Sequence, residues 1–301
     1  MLFSVVIPVH NRRHLLPRTL DSVWAQIFTD FEVIVVNDGS TDETGEWLAS
    51  QGERIQAITQ ANRGPGAARN LGTREARGKY VAFLDSDDVW PPWTLETFAK
   101  LICKHNSPAI LAGKVVEFRD ERELKAIRPE PICADFHADY FASCRGGYFV
   151  GAGMAVLRRD LLLACGGFIE ERVNAEDHDL IFRLGTEPGF VQVLAPVTLG
   201  WRRHSASETA EDGSTFSGIL RMVKRECEAA YPGGAPRMRE RRDILTRHAR
   251  PVTLNCLKQG MRREAWILYR ATFAWNAWLR RIKYLAAFPV LSAVSRLSAF
   301  S

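Results

Sequence analysis

Three carboxylates stand within four residues at Asp85-Ser86-Asp87-Asp88. Packed this closely they repel one another, and a hard cation compensates them. Mg2+ or Mn2+ takes one or two protein carboxylates and fills its shell with phosphate oxygens and water, which suits a nucleoside diphosphate held through a metal. A purely structural role suits the same residues, because Asp87 and Asp88 precede a helix expected from Pro91 and Pro92, where acidic side chains favour the N-terminus. A second acidic run is Asn174-Ala175-Glu176-Asp177-His178-Asp179-Leu180. Asp177 can serve there as a general base. Equally, Glu176, Asp179 and Arg183 fit a solvated helix face with support between Asp179 and Arg183. Gly166-Gly167-Phe168 and the small residues Gly151-Ala152-Gly153 fit a cramped acceptor site.

The elements that must position these groups alternate along residues 1–105. Ser4–Val9, Phe31–Val36, Ile55–Thr59 and Tyr80–Leu84 are short apolar runs that predict buried strands. Between them, Leu15, Leu16, Leu20, Val23, Trp24 and Ile27 share one helical face. Ser40-Thr41-Asp42-Glu43 has capping-box spacing and leads into a helix reaching about Ala49, and Ala67–Ala76 reads as helix up to Gly78. This predicts an α/β fold with a mainly parallel twisted sheet flanked by helices. Further on, Ala109–Phe118, Phe149–Leu157 and Val191–Leu194 read as strands, Asp160–Ala164 and Glu176–Leu184 as helices, and residues 119–145 as an irregular substrate loop.

In an open parallel sheet, ligands sit beyond the carboxyl ends of the strands. The four ends here are Pro8-Val9-His10-Asn11, Asn37-Asp38-Gly39-Ser40-Thr41-Asp42, Asn62-Arg63-Gly64-Pro65-Gly66 leading to Arg69 and Asn70, and the Asp85 run. None is a dinucleotide-binding glycine fingerprint or a P-loop. Asp38 also makes a good generic turn, and Arg69 an ordinary surface residue. Four polar loops at successive strand ends nevertheless point together to a ligand.

Charge divides the chain. Residues 1–199 hold 21 Lys+Arg against 27 Asp+Glu, net −6, and residues 200–301 hold 19 against 8, net +11. Six cysteines without metal-ligand spacing suggest thiols in a reducing compartment. No basic leader precedes Phe3, and no run of about 18 apolar residues occurs. A cytoplasmic protein is expected, peripheral at most at the inner face of a membrane.

The ordered set Ser-Val-Val-Ile-Pro-Val-His-Asn, Asn-Asp-Gly-Ser-Thr-Asp, Gly-Pro-Gly-Ala-Ala-Arg-Asn, Asp-Ser-Asp-Asp-Val-Trp-Pro and Glu-Asp-His-Asp-Leu resembles the family 2 inverting glycosyltransferases with the GT-A fold, over roughly residues 3–204. The resemblance implies a catalytic domain at 1–204, with a nucleotide-binding half at about 1–105 and an acceptor half at about 106–204, followed by a basic helical extension at 205–301. It implies that Pro8, His10, Asn11, Asp38, Gly64, Arg69 and Asp85 bind the nucleotide of a donor, a UDP-sugar being favoured. The family usually carries Tyr where His10 stands. It implies that Asp87 and His204 hold Mn2+ or Mg2+ with Asp88 as helper, and that Asp177 is the catalytic base. Glu176 and Trp201 would contact a glycan or lipid-linked acceptor, and Arg202 and Arg203 the diphosphate. A nucleotidyltransferase is the rival enzyme, but it would carry a glycine-rich triphosphate loop that His10-Asn-Arg-Arg13 lacks. A non-catalytic nucleotide- or carbohydrate-binding protein would show damaged acidic elements, whereas Asp85, Asp87 and Asp177 are all present.

The 205–301 extension interleaves Trp266, Trp275 and Trp278 with Arg262, Arg263, Arg270, Arg280, Arg281 and Lys283. Glu264–Leu279 reads as an apolar helix, and Leu285–Val294 as an apolar run interrupted by Pro289. An amphipathic membrane-surface segment and a helical pair packed on the protein both fit. Nucleic acid is not expected, since no reader motif occurs.

Overall fold

In the computed structural model, residues 1–171, 174–203 and 212–297 are described. They form two compact units, the first drawn from residues 1–140, 148–171 and 186–203, and the second from 141–147, 174–185 and 212–297.

The first unit follows the strand–helix alternation: β1 (Phe3–Val9), α1 (Leu16–Trp24), β2 (Phe31–Asp38), α2 (Thr44–Ala49), β3 (Gln56–Gln60), α3 (Pro65–Glu75), β4 (Tyr80–Phe83) and α4 (Thr94–Lys104). Then come β5 (Ile110–Ala112), β6 (Val115–Phe118), α5 (Glu121–Ala126), β7 (Cys133–His137), β8 (Ala155–Arg158), α6 (Arg159–Ala164), β9 (Phe190–Ala195) and β10 (Leu199–Arg202). Eight strands make one sheet in the order β3-β2-β1-β4-β8-β5-β9-β7. β1 pairs in parallel with β2 and β4, and β2 with β3. β8 and β7 run antiparallel to their neighbours. Every residue of β1 is buried, as expected for a strand covered on both faces. Around it Val5, Ile7, Leu16, Leu20, Val35, Tyr80, Leu95 and Leu111 form one core.

Several sequence expectations change. The Ala109–Phe118 run is two strands in two sheets: β5 lies in the large sheet, whereas β6 pairs with β10. Gly113 lies between them, where an added Cβ would collide with Thr198 Oγ1. The 119–145 loop contains α5 and β7. Only the last part of Phe149–Leu157 is strand, after a single 3-10 turn at Ala152–Met154. Ser40 is not a helix cap: α2 begins at Thr44, whose backbone N donates to Asp42 Oδ1 at 3.0 Å. The helix expected from Pro91 and Pro92 begins at Thr94. Ile27 lies beyond the end of α1 and is exposed.

The second unit is helical: α7 (Glu176–Arg183), α8 (Asp212–Cys227), α9 (Met238–Lys258), α10 (Arg262–Trp278) and α11 (Ile282–Leu297). Cys256, Leu257, Ala265, Tyr269 and Phe288 form its core, with the Tyr269 and Phe288 rings stacked 4.2 Å apart. α11 runs through Pro289 rather than breaking there. A buried ion pair, Arg241 Nε to Glu226 Oε2 at 2.7 Å, ties α9 to α8. Leaving either charge unpaired would cost several kcal/mol, ~3–5 in comparable cases. No described helix is long and apolar enough to cross a membrane, and no cysteine is in a disulfide.

Candidate functional site

The carboxyl ends of β1 to β4 bring four loops together in the first unit. Pro8 lies one residue before the end of β1 and is buried like the rest of the strand. The Nδ1–H of His10 donates to the Asp38 carbonyl at 2.9 Å, which leaves Nε2 to accept from Asn62 Nδ2 at 3.1 Å. Asn11 adopts φ 52°, a left-handed conformation that asparagine tolerates. Its Oδ1 accepts from the backbone N of Thr41 and Asp42, at 2.7 and 3.3 Å. Asn11 thereby fastens the loop after β1 to the loop after β2.

Asp38, at the end of β2, is buried. Its Oδ1 accepts from Gln60 Nε2 at 2.7 Å and from Arg63 N at 2.9 Å, and its Oδ2 from Gly64 N at 2.8 Å. One side chain thus clamps β2, β3 and the start of α3. Gly64 has φ 94°, which glycine adopts without strain. α3 then buries Arg69, whose guanidinium donates to Asp85 Oδ1 at 2.8 Å and lies 5.4 Å from the Phe168 ring centre.

The acidic loop after β4 is sorted by depth. Asp85 and Asp87 side chains are 36% and 22% exposed, while Asp88 is 3% exposed. Arg12 Nε lies 3.9 Å from Asp87 Oδ2. Asp88 Oδ1 accepts from Arg202 N at 2.9 Å. Burial pushes the Asp88 carboxyl well above its usual range, and the charges of Asp85 and Asp87 add to this against the Arg202 N–H and charge. Thr19 Oγ1 donates to the Asp88 and Ser86 carbonyls at 2.8 and 3.0 Å, which pins the loop to α1. A Cβ on Gly153 would come within 2.9 Å of Asp85 Oδ2, so this glycine makes room for the carboxylate.

Arg202 Nε donates to the Asp87 carbonyl at 2.9 Å, so the structure does bring Arg202 to the acidic loop. Arg203 instead pairs with Glu117 at 2.9 Å and lies over the Trp201 ring at 4.5 Å. His204 falls outside the described residues. Among the described residues no group of three or more His, Cys, Asp or Glu forms a metal cage. The donor set still fits Mg2+ or Mn2+, which need only one or two carboxylates when phosphate oxygens complete the shell.

In the second unit, Glu176 and Asp177 occupy the first turn of α7, after Ala175 at φ 75°. Asp177 Oδ1 accepts from His178 N at 2.7 Å and lies 2.6 Å from His178 Nδ1. Burial lowers the His178 pKa, but the charge and hydrogen bond of Asp177, with Glu176, outweigh it and the net shift is upward. The His248 ring meets His178 edge-on at 4.5 Å, and burial pushes its pKa well down. Asp179 does not lie on a solvated face. It is buried and bonds Arg183 Nε and Tyr231 OH, both at 2.8 Å. Gln60, Arg12, Gly153 and His248 are contributors that reading by motif did not single out. Only Gly153, as part of a small-residue segment, left a signal.

The mainly parallel sheet with polar loops at its carboxyl ends matches the nucleotide-diphospho-sugar transferase fold of the GT-A type. The profile of the Glycosyl transferase family 2 matches residues 4–165, and the chain belongs to that family. An uncharacterized glycosyltransferase of Rickettsia bellii is 44% identical over 105 residues, 34% of this chain and 15% of that protein. Glycosyltransferase GlyA of Streptococcus pneumoniae is 39% identical over 124 residues, 40% of this chain and 18% of that protein. The chain therefore spans only a small part of these curated relatives. Among solved structures, S. aureus TarS in complex with UDP-GlcNAc superposes with a TM-score of 0.72 at 21% identity, covering 90% of this chain and 79% of that one. A mannosyltransferase of Pyrobaculum calidifontis in complex with GDP-Man and Mn2+ gives 0.54 at 19% identity, covering 98% and 86%. At these identities the likeness is one of fold.

Proposed function

We propose that this chain moves a sugar from a nucleoside-diphosphate sugar to a hydroxyl acceptor, with inversion and with help from Mn2+ or Mg2+. The observation that carries the reading is the acidic loop after β4. There Asp85 and Asp87 are the partly exposed carboxylates of a cluster whose third member, Asp88, is buried against the Arg202 backbone N–H. Family membership and the UDP-GlcNAc complex of TarS support a UDP-sugar as donor. A glycan or lipid-linked glycan is the acceptor class assigned. The catalytic region is about 1–204, and 205–301 is an extension making peripheral membrane contact.

An acceptor hydroxyl is a weak nucleophile, and Asp177 takes its proton as the new bond forms. His178, bonded to Asp177 Oδ1, orients that carboxylate. Glu176 and Trp201 contact the acceptor. Pro8, His10, Asn11, Asp38 and Gly64 hold the base and ribose, with Arg69 and Asp85 next to them. Asp87 and His204 would hold the metal, which when bound neutralises charge on the departing diphosphate. Arg202 and Arg203 add positive charge there. One displacement inverts the anomeric centre.

Asp177→Asn keeps an oxygen for His178 and should abolish turnover while leaving donor binding nearly intact. Asp87→Ala should weaken donor binding, measured by calorimetry, in Mn2+ but not in EDTA. Full activity of the Asp177 variant removes the base assignment. If no UDP-, GDP- or dTDP-sugar binds, or if pyrophosphate is released from a nucleoside triphosphate, the reading fails.

A further inference from the structure

The second unit contains an open cleft of about 890 Å³, between parts of α8, α9 and α11. It falls within the ~300–1,000 Å³ typical of small-molecule sites. Its lining is divided by chemistry. Arg247, Arg250 and Lys258 supply three cations, while Val252, Leu254, Phe288 and Leu291 supply an apolar wall. Among the described residues no carboxylate lines it. Arg247 is paired with Asp243 at 2.8 Å, and Arg281 pairs with the same Asp243 at 2.6 Å, so guanidiniums outnumber the acid around α9. Burial lowers the pKa of Arg250, Tyr284 and Asp243 oppose this, and the neighbouring Arg247 charge adds to it. An anion at the cleft would meet Arg250 and Lys258 directly.

α11, which supplies Phe288 and Leu291 to the apolar wall, also shows apolar residues outward. Ile282, Val290 and Val294 of α11 are 61%, 62% and 56% exposed. α11 carries no Asp or Glu anywhere along Ile282–Leu297. We propose that this cleft binds an amphiphile with an anionic phosphate head and a single apolar chain, the head on Arg250 and Lys258 and the chain against Val252, Leu254 and Leu291. Inorganic phosphate would use the cations and leave the wall wet. A neutral chain would cover the wall and leave Arg250 and Lys258 without a counter-charge. Only the combined chemistry uses the whole lining. The lipid source is either a dispersed lipid phosphate or the anionic face of a bilayer. The site does not depend on the transferase reading, because it lies wholly within the helical unit and its test measures binding alone.

The experiment is calorimetry on the full chain with dodecyl phosphate below its aggregation point, with dodecanol and inorganic phosphate as half-ligands. One-to-one binding of dodecyl phosphate is expected, much tighter than either half. Each methylene removed from the chain should cost roughly fourfold in affinity. Arg250→Glu/Lys258→Glu removes the head contacts, and Ala287→Trp fills the cleft from an exposed lining position. Each should weaken binding at least about tenfold, with unchanged far-ultraviolet circular dichroism and unchanged nucleotide-sugar binding. Phosphatidylglycerol vesicles separate the sources. Vesicle binding that Ala287→Trp weakens assigns the occupant to a bilayer lipid, and binding of dispersed dodecyl phosphate alone assigns it to a lipid phosphate. Equal binding of dodecanol overturns the proposal. So does binding that is indifferent to both variants, which would place the probe on the outer face of α11.

Discussion

The Arg69–Asp85 pair is where charge, burial and the assigned ligand site meet, and a double-mutant cycle tests it. At 2.8 Å and an effective dielectric of about 20, the bare attraction is ~6 kcal/mol. Two effects reduce it. The guanidinium is buried, so much of the attraction offsets its lost hydration. Asp85 is 36% exposed, so water screens its side of the pair. A coupling of about 1–2 kcal/mol remains, in line with a charge-assisted hydrogen bond. Arg69→Met should cost more, ~2–3 kcal/mol, because it also leaves the Asp85 charge uncompensated next to Asp88, which that charge already disfavours. Asp85→Asn should cost ~1 kcal/mol or less, since losing the pair is partly offset by relief of repulsion on Asp88. Urea unfolding of the parent, both single variants and the double variant gives the coupling directly. If the two single effects add to within ~0.3 kcal/mol of the double, the pair does not hold these loops together and the argument is wrong.

Two further outcomes follow from the geometry. Gly153→Ala places a methyl within 2.9 Å of Asp85 Oδ2, so Asp85 must swing aside. Nucleotide-sugar affinity should fall about tenfold or more while melting shifts only modestly, and unchanged affinity would separate Gly153 from the site. The His178 pKa is raised in the fold, so its stabilisation is fully present below about 6.5 and is lost as pH rises through the higher folded value. Burial and the charges of His178 and Arg247, opposed by Asp177, push His248 the other way, so its share is present above about 6.5 and fades as pH falls. His178→Gln should therefore lower the melting temperature more at about pH 6 than at about pH 9, and an equal loss at both ends would contradict the assignment.

Periodicity made β1, β2 and β4 legible, because their apolar residues are buried on both faces; β3, expected as a buried strand over Ile55–Thr59, is instead an edge strand over Gln56–Gln60 whose residues are exposed or half-buried. Periodicity also failed where a sheet changes. Gly113 interrupts an apolar run that reads continuously from Ala109 to Phe118, and only the close approach of Thr198 explains why glycine stands there. β7 was hidden because Cys133–His137 is only partly buried and carries a weak alternation. At the site, residue types were legible while their partners were not. The Asp38 oxygens are taken by groups 22 to 26 residues away, and His248 reaches His178 from a helix that gives no local hint of it. Contacts made by folding alone leave no spacing to read.

Position in the chain also separates the two readings of Asp85-Ser86-Asp87-Asp88. The structural alternative needs Asp87 and Asp88 in the first turn of a helix, because the pull of a helix N-terminus on an acid fades within that turn. α4 begins at Thr94, and a β-bridge from Val89 to Gly200 intervenes. The dipole therefore cannot be what makes three adjacent carboxylates tolerable. Asp88 takes a different structural task, since it is buried and holds the Arg202 N–H at 2.9 Å. That bond fixes the end of β10 against the loop and leaves Asp85 and Asp87 as the members that face solvent. A cluster built only for stability would gain by replacing Asp88 with a neutral acceptor, which would keep the Arg202 bond and remove the repulsion. The two members facing solvent, Asp85 and Asp87, are the ones the proposed cation and its phosphate-bearing ligand would meet.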